Sequence, residues 1–222
     1  MGETPLPQGY KFVIADDHPL FRGALKQALA SLDNVSIILE AGDFDSTKRL
    51  VTDNEDVDLI LLDLSMPGAS GLSGLISLRG IHPSAPMVVV SATDDPQTIR
   101  RALDLGASGF ISKSASMEEI RAAISTVLEG GVAMPNGIDL GVEQDAEISA
   151  IIRRVQTLTP QQTRVLGMLA EGLLNKQIAY ELSVSEATIK AHVSAILQKL
   201  DVDSRTQAVI LLSKMGAEQT AS

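Results

Sequence analysis

The sequence predicts an α/β fold, a doubly wound sheet of five parallel strands, followed by an all-α unit of four helices. Three observations carry this expectation. Over roughly the first 130 residues, five short apolar runs alternate with longer stretches of helical period, and parallel strands need such crossover segments between them. From Leu158 onward the apolar pattern is helical throughout, with no strand signal. The charge divides as well: residues 1–150 carry 10 Lys+Arg against 22 Asp+Glu and residues 151–222 carry 8 against 6, which is −12 and +2 of the overall −10. An acidic first part repels nucleic acid, whereas a mildly basic second part need not.

Residues 1–9 contain Pro5, Pro7 and Gly9 and read as a flexible lead-in. Strands are expected at 11–15, 35–40, 58–62, 86–91 and 108–111, where aliphatic residues concentrate. Helices are expected between them at about 19–32, 44–54, 71–81 and 96–105, with a last one at about 116–129. Gly130-Gly131, Pro135-Asn136-Gly137 and Gly141 punctuate a linker. Beyond these glycines, Ile148, Ile151, Ile152 and Val155 recur at helical spacing, a stripe able to dock on either part of the chain and couple them. Thr159 and Pro160 supply an N-cap and a first-turn proline for a helix over about 160–171 that stops at Gly172. Asn175 is placed to cap a short helix over 176–182. The turn Ser183-Val184-Ser185 leads through a Ser185 cap into a helix over about 186–200. The expected divisions are 1–9, 10–130, 131–157 and 158–222.

Composition removes several classes of function. With no Cys, the chain has no disulfide, thiolate metal site or Cys nucleophile, and its three His (His18, His82, His192) are too scattered for a local zinc motif. Residues 1–9 lack the basic start and apolar core of a signal peptide, and no apolar run approaches the roughly 18 residues that span a bilayer. A cytoplasmic protein with no membrane partner is expected.

The ligand crevice of a doubly wound sheet lies beyond the carboxyl ends of its strands. Asp16, Asp17, Asp63, Ser91 and Lys113 all fall at or just past such ends. Three acids packed together repel one another unless a cation is bound, and oxygen ligands at such a site suit Mg2+. With Mg2+ present, an aspartate can attack a phosphoryl group in line while a lysine offsets the charge on its oxygens. The alternatives are plain: Asp17 as the cap of the helix beginning near Pro19, Ser91 as a strand-end hydroxyl, Lys113 as a solvated loop lysine and Phe110 as a core aromatic. His18 is assigned no catalytic role.

Residues 10–130 resemble the receiver domain of two-component response regulators, a flavodoxin-like fold. The resemblance rests on the acid pair Asp16-Asp17, the run Asp63-Leu64-Ser65-Met66-Pro67-Gly68 with Gly71 beyond it, Ser91-Ala92, and Phe110 three places before Lys113. It implies that Asp63 is the phosphoacceptor, and that Asp17, Asp63 and the backbone carbonyl of Ser65 hold Mg2+. It further implies that Lys113 contacts the phosphoryl group, while Ser91 and then Phe110 move inward as a switch. Ser114 stands where most receivers have proline, so the isomer of the Lys113–Ser114 bond is not legible.

Two helices joined by a three-residue turn make a helix-turn-helix, whose second member can enter the major groove of DNA. In the second helix Ile189, Val193, Ile196 and Leu200 form a buried stripe. Lys190, Ala191 and Ser194 fall off that stripe and are free to face bases, with Thr188 and Lys199 placed for the backbone and Lys176 in the preceding helix as a further candidate. The segment from Leu158 to Met215 resembles the LuxR-type helix-turn-helix through Glu171-Gly172-Leu173-Leu174-Asn175-Lys176-Gln177-Ile178-Ala179, Leu182-Ser183-Val184-Ser185 and Thr188-Ile189-Lys190-Ala191-His192-Val193. That resemblance implies a final helix, about 204–215, serving as a dimer face, and a receiver that masks the recognition helix until phosphorylated.

The expected function is therefore a phosphorylation-dependent transcriptional regulator, phosphorylated by a histidine kinase, acting on double-stranded promoter DNA as a homodimer, and not a turnover enzyme. Two alternatives compete. One is a Mg2+-dependent aspartyl-phosphate hydrolase, which wants a second acid two residues after the nucleophile, where Ser65 stands. The other is a protein-interaction output that does not use DNA.

Overall fold

The computed structural model describes residues 9–32, 34–69, 71–138, 140 and 146–216. Most of the expected lead-in and the linker glycine Gly141 lie outside the described residues. The first part runs β1 (Tyr10–Ala15), α1 (Pro19–Ala30), β2 (Val35–Ala41), α2 (Phe44–Asp53), β3 (Leu59–Asp63), α3 (Ser73–Ile81), β4 (Met87–Ser91), α4 (Pro96–Asp104), β5 (Gly109–Ser112) and α5 (Met117–Leu128). The strands form one parallel sheet in the order β2-β1-β3-β4-β5. Strand order reverses between β1 and β3, and the carboxyl ends of these two strands carry Asp16, Asp17 and Asp63.

Alternation along the strands builds two cores. Phe12, Ile14, Leu59, Leu61, Val88 and Val90 pack with Leu25 and Leu29 of α1 and Ile120 and Ile124 of α5 on one face. On the other face, Val13, Ile60, Leu62, Val89 and Phe110 pack with α2, α3 and α4 in a core that runs on without a break into the C-terminal helices. The alternation follows from the strand period of two, which sends successive side chains to opposite faces.

After α5 the chain returns along the edge of the sheet. Ala133 bridges β5 in parallel: Phe110 N–H donates to the Ala133 carbonyl at 2.9 Å, and Ala133 N–H donates to that of Ser108 at 3.2 Å. Gly109 permits this approach, because a Cβ there would stand 2.9 Å from the Ala133 Cβ.

The C-terminal part consists of α6 (Ala146–Gln156), α7 (Pro160–Ala170), α8 (Asn175–Glu181), α9 (Glu186–Leu200) and α10 (Arg205–Gly216). The stripe Ile148, Ile151, Ile152 and Val155 is buried, and α6 docks on α9 and α10. Gln156 reaches back from its end to donate to the Asp104 carbonyl at 2.5 Å. Thr159 and Gln162 form a reciprocal capping box at the start of α7. The expected Asn175 cap is displaced by one residue: Leu174 occupies the cap position, and its N–H is taken by the side chain of Gln177 at 2.7 Å. Ser185 caps α9 by accepting from Thr188 N–H at 3.1 Å.

The two parts meet along α3 and α7. Side-chain-free positions on both helices allow the backbones to close up. A Cβ on Gly80 would lie 2.4 Å from Arg164 N, and a Cβ on Gly167 would lie 2.6 Å from Ser77 Oγ. Lys48 of α2 ties down the rim, donating to Glu171 at 2.5 Å and pairing with Asp45 at 3.0 Å. Burial works against the Lys48 ammonium, yet these carboxylates outweigh it and hold its pKa above the ordinary lysine value.

Candidate functional site

The end of β3 delivers Asp63 into a pocket where it is 1% exposed, beside Asp16 at 0%. Each oxygen of Asp63 is held from a different side. Oδ1 accepts the Ser65 N–H at 3.0 Å, and Oδ2 accepts from Lys113 Nζ at 2.8 Å. Lys113 arrives from the end of β5, positioned by its own N–H donating to the Ser91 carbonyl at 2.8 Å. Its ammonium also lies 2.8 Å from Asp16 Oδ2 and over the ring of Phe21, 5.2 Å from the centroid. Burial disfavours that charge, but the carboxylates of Asp16 and Asp63 prevail and raise the Lys113 pKa.

Asp17 does not cap α1. The cap position is His18, and no side chain caps that helix. Both Asp17 Oδ1 and Asp16 Oδ2 are buried and accept no well-directed hydrogen bond. Their close neighbours are nitrogens: His18 Nδ1 at 2.6 Å from the first and Lys113 Nζ at 2.8 Å from the second. Ligand atoms of Asp16, Asp17, His18 and Asp63 all lie within 4.8 Å of one another. Buried acceptors that lack directed donors, in a cluster of hard oxygens, fit a small divalent cation such as Mg2+.

Ser91 is 3% exposed, and its Oγ accepts from Thr93 N–H at 3.1 Å. Phe110 is buried at 1% on the face shared with α3 and α4, so its ring already points inward. No cis peptide occurs among the described residues, so Lys113–Ser114 is trans, and the hydroxyls of Ser112 and Ser114 lie 2.8 Å apart.

The candidate DNA face lies on the far side of the C-terminal part. Thr188, Lys190, Ala191 and Ser194 of α9 are exposed, as is Lys176 of α8. Lys190 pairs with Glu186 one turn back at 3.0 Å, on the surface. The helix packs on α6, α7, α8 and α10, with its reading face open to solvent rather than covered by the first part of the chain. Masking of that face is therefore not how the two parts interact here.

Lys199 departs from expectation too. Its ammonium donates to the Thr157 carbonyl and to Gln162 Oε1, both at 2.8 Å, which draws it inward to bracket α9 against α7. In this structure its ammonium is engaged between α7 and α9. Gln162 also caps α7, its Oε1 accepting from Thr159 N–H while its own N–H donates to Thr159 Oγ1. Sequence reasoning missed His18 at the acid pocket and the Lys48–Glu171 tie. The local signal for His18 was its position beside two acids at a strand end.

Comparison with known proteins agrees with this geometry. Residues 12–125 match the response regulator receiver domain family, and residues 156–212 match the luxR family of bacterial regulatory proteins. The glycerol metabolism activator of Pseudomonas putida is 44% identical over 207 residues, covering 90% of this chain and 94% of its own. The nitrate/nitrite response regulator NarP of Escherichia coli is 35% identical over 210 residues, covering 94% and 97%. Among solved structures, RcsB of Salmonella enterica serovar Typhimurium, bound to promoter rprA, superposes with a TM-score of 0.52 at 25% identity, covering 92% of this chain and 98% of that one. The chain belongs to the family of two-component response regulators that join a receiver domain to a LuxR-type DNA-binding domain and regulate transcription.

Proposed function

We propose that phosphorylation of Asp63 by a histidine kinase controls how this protein pairs and binds promoter DNA. The observation that carries the reading is the setting of Asp63: a buried carboxylate, fixed by Ser65 N–H and Lys113, beside Asp16 and Asp17. A carboxylate oxygen of Asp63 attacks phosphorus in line; the O–P bond forms as the phosphoryl–imidazole bond breaks, and the imidazole of the kinase leaves with the electron pair. Lys113 offsets charge on the transferred oxygens from its place at the pocket wall. Mg2+, when bound by Asp16, Asp17, Asp63 and the Ser65 carbonyl, supplies further charge neutralisation. The Ser91 hydroxyl then exchanges its contact with Thr93 for a phosphoryl oxygen, and the packing around Phe110 adjusts.

The route outward begins beside the phosphoacceptor. Residues 64–72 join Asp63 to α3, and Phe44 N–H holds this loop through the Pro67 carbonyl at 2.9 Å. Because α3 packs directly on α7 and also touches α10, a shift in the loop biases the contact between the two parts. We infer that the receiver restrains the DNA-binding part by position, holding α7 and α10, and leaves α9 uncovered. Release lets two copies pair through α10, whose Ile210 is 51% exposed. Lys176, Thr188, Lys190, Ala191 and Ser194 then read or grip the duplex.

The protein acts as a cytoplasmic switch and not as a turnover enzyme: Ser65, two places after the nucleophile, is no acid and spends its amide on Asp63. Among the described residues no helix is long and apolar enough to cross a membrane. The test treats wild type and Asp63→Asn with a small phosphodonor and Mg2+. Intact mass, dimerisation and promoter binding should change together in wild type alone. Phosphorylated Asp63 with unchanged pairing and DNA affinity would refute the switch.

A further inference from the structure

We propose that His18 is a nitrogen ligand of the acidic pocket, so that the pocket takes a borderline transition cation such as Zn2+ in addition to Mg2+. The inference rests on reading the pocket as a cation site and extends it to a residue with no other assigned role. His18 Nδ1 lies 2.6 Å from Asp17 Oδ1, 3.4 Å from Asp16 Oδ1 and 3.9 Å from Asp63 Oδ2. Ligands bonded to one ion at about 2.0–2.2 Å stand roughly 3 to 3.5 Å apart at right-angled or tetrahedral geometry. The His18 spacings bracket that range and the four donor atoms all lie within 4.8 Å of one another, so drawing them onto one centre takes side-chain movement of the acids beside the Lys113 ammonium.

The ring is not there by chance rotation. The His18 N–H donates to Asp16 Oδ1 at 2.7 Å, and Pro19 follows at the start of α1, which fixes the backbone that aims the side chain. The side chain is 63% exposed, so it stands at the mouth of the pocket, with the acids beneath it. Lys113 Nζ lies 3.4 Å from the same Nδ1, at the inner side of the ring.

The donor set decides the ion. Three carboxylates alone suit Mg2+, which keeps oxygen ligands and water, whereas imidazole suits Zn2+ and its neighbours and adds little for Mg2+. A Zn2+ held by His18 and the acids would displace Mg2+ from the same carboxylates and so compete with Mg2+-assisted phosphorylation, making the receiver sensitive to transition metals.

The experiment titrates the full-length protein calorimetrically with Zn2+ and, separately, with Mg2+, for wild type and His18→Ala. The imidazole 15N resonances of the Zn2+-loaded proteins are recorded alongside. The expected result is a loss of Zn2+ affinity of about tenfold or more in the variant, a far smaller change for Mg2+, and a ligated imidazole signal present only in wild type. Equal loss for both ions, or no shifted imidazole, reduces His18 to an ion-pair partner of Asp17 and overturns the inference. The underlying reading is separable: if Mg2+ binds and Asp63 is phosphorylated while His18 is silent, only the nitrogen ligand fails. If neither ion binds and Asp63 takes no phosphoryl group, the pocket itself has been misread.

Discussion

The DNA-binding part of this chain has two unlike faces. On α7 the surface is closed against α3, backbone close to backbone, with Gly80 and Gly167 giving up side chains so that the helices touch. On α9 the surface is open, with Thr188, Lys190, Ala191 and Ser194 in solvent. One face is built for contact within the molecule and the other for contact outside it. The difference teaches that, on the proposed reading, the receiver can restrain this part without covering the residues proposed to read DNA. Holding the unit by its back would then dictate which partner copies it can meet.

The comparison breaks most readily at its closed face. Replacing Gly167 with Leu puts a side chain where Ser77 Oγ already stands, and should open the interface at a cost of about 1–3 kcal/mol. Small-angle scattering should then show an extended molecule, and dimerisation on DNA should appear without phosphodonor. A compact Gly167→Leu protein would sink the account. The milder Gly167→Ala adds a sharper sign test. Alanine favours an isolated helix by up to about 1 kcal/mol, so α7 gains intrinsic stability while the junction loosens.

At the open face, Lys190→Ala should lower affinity for target DNA by roughly 1–3 kcal/mol and leave the scattering profile untouched. Lys199→Ala should do nearly the reverse. It removes two hydrogen bonds, one exposed and one part-buried, and should reduce thermal stability by about 1 kcal/mol, with the salt slope of DNA binding preserved. A reduced salt slope would return Lys199 to the DNA contacts.

The smallest effect belongs to the rim. Lys48→Ala removes a partly buried pair with Glu171 and should loosen the closed form by about 0.5–1 kcal/mol. The pKa of Lys48 is raised in the folded protein, so its contribution is complete below the ordinary lysine value of 10.5 and fades as pH climbs through the folded value. Alkaline titration followed by scattering should show wild type opening where the alanine variant is already loose.

The strands and helices were legible because each is written in a local period: the run Leu59 to Leu62 and the stripe Ile189, Val193, Ile196, Leu200 announce themselves within a few residues. The pocket was legible because one topological rule gathers strand ends, whatever lies between them. The α3–α7 junction was not, since it joins segments some 80 residues apart and its main signature is missing side chains. Gly80 and Gly167 read locally as residues that weaken helices; their packing role exists only in the pair. The inward turn of Lys199 was not legible for a related reason. Helical periodicity put it off the buried stripe, but the stem is long enough to swing back to Gln162 and Thr157.

The bridge between Ala133 and β5 sets where this receiver can be cut. A proteolytic fragment that ends at Gly130 leaves the Phe110 amide and the Ser108 carbonyl bare along an edge strand, ready to recruit a strand from another molecule. Such a fragment should self-associate through its sheet, and its oligomers would report a severed seam instead of a signalling state. A cut placed after Asn136 keeps the seam sewn, and only then does the receiver's own pairing become visible.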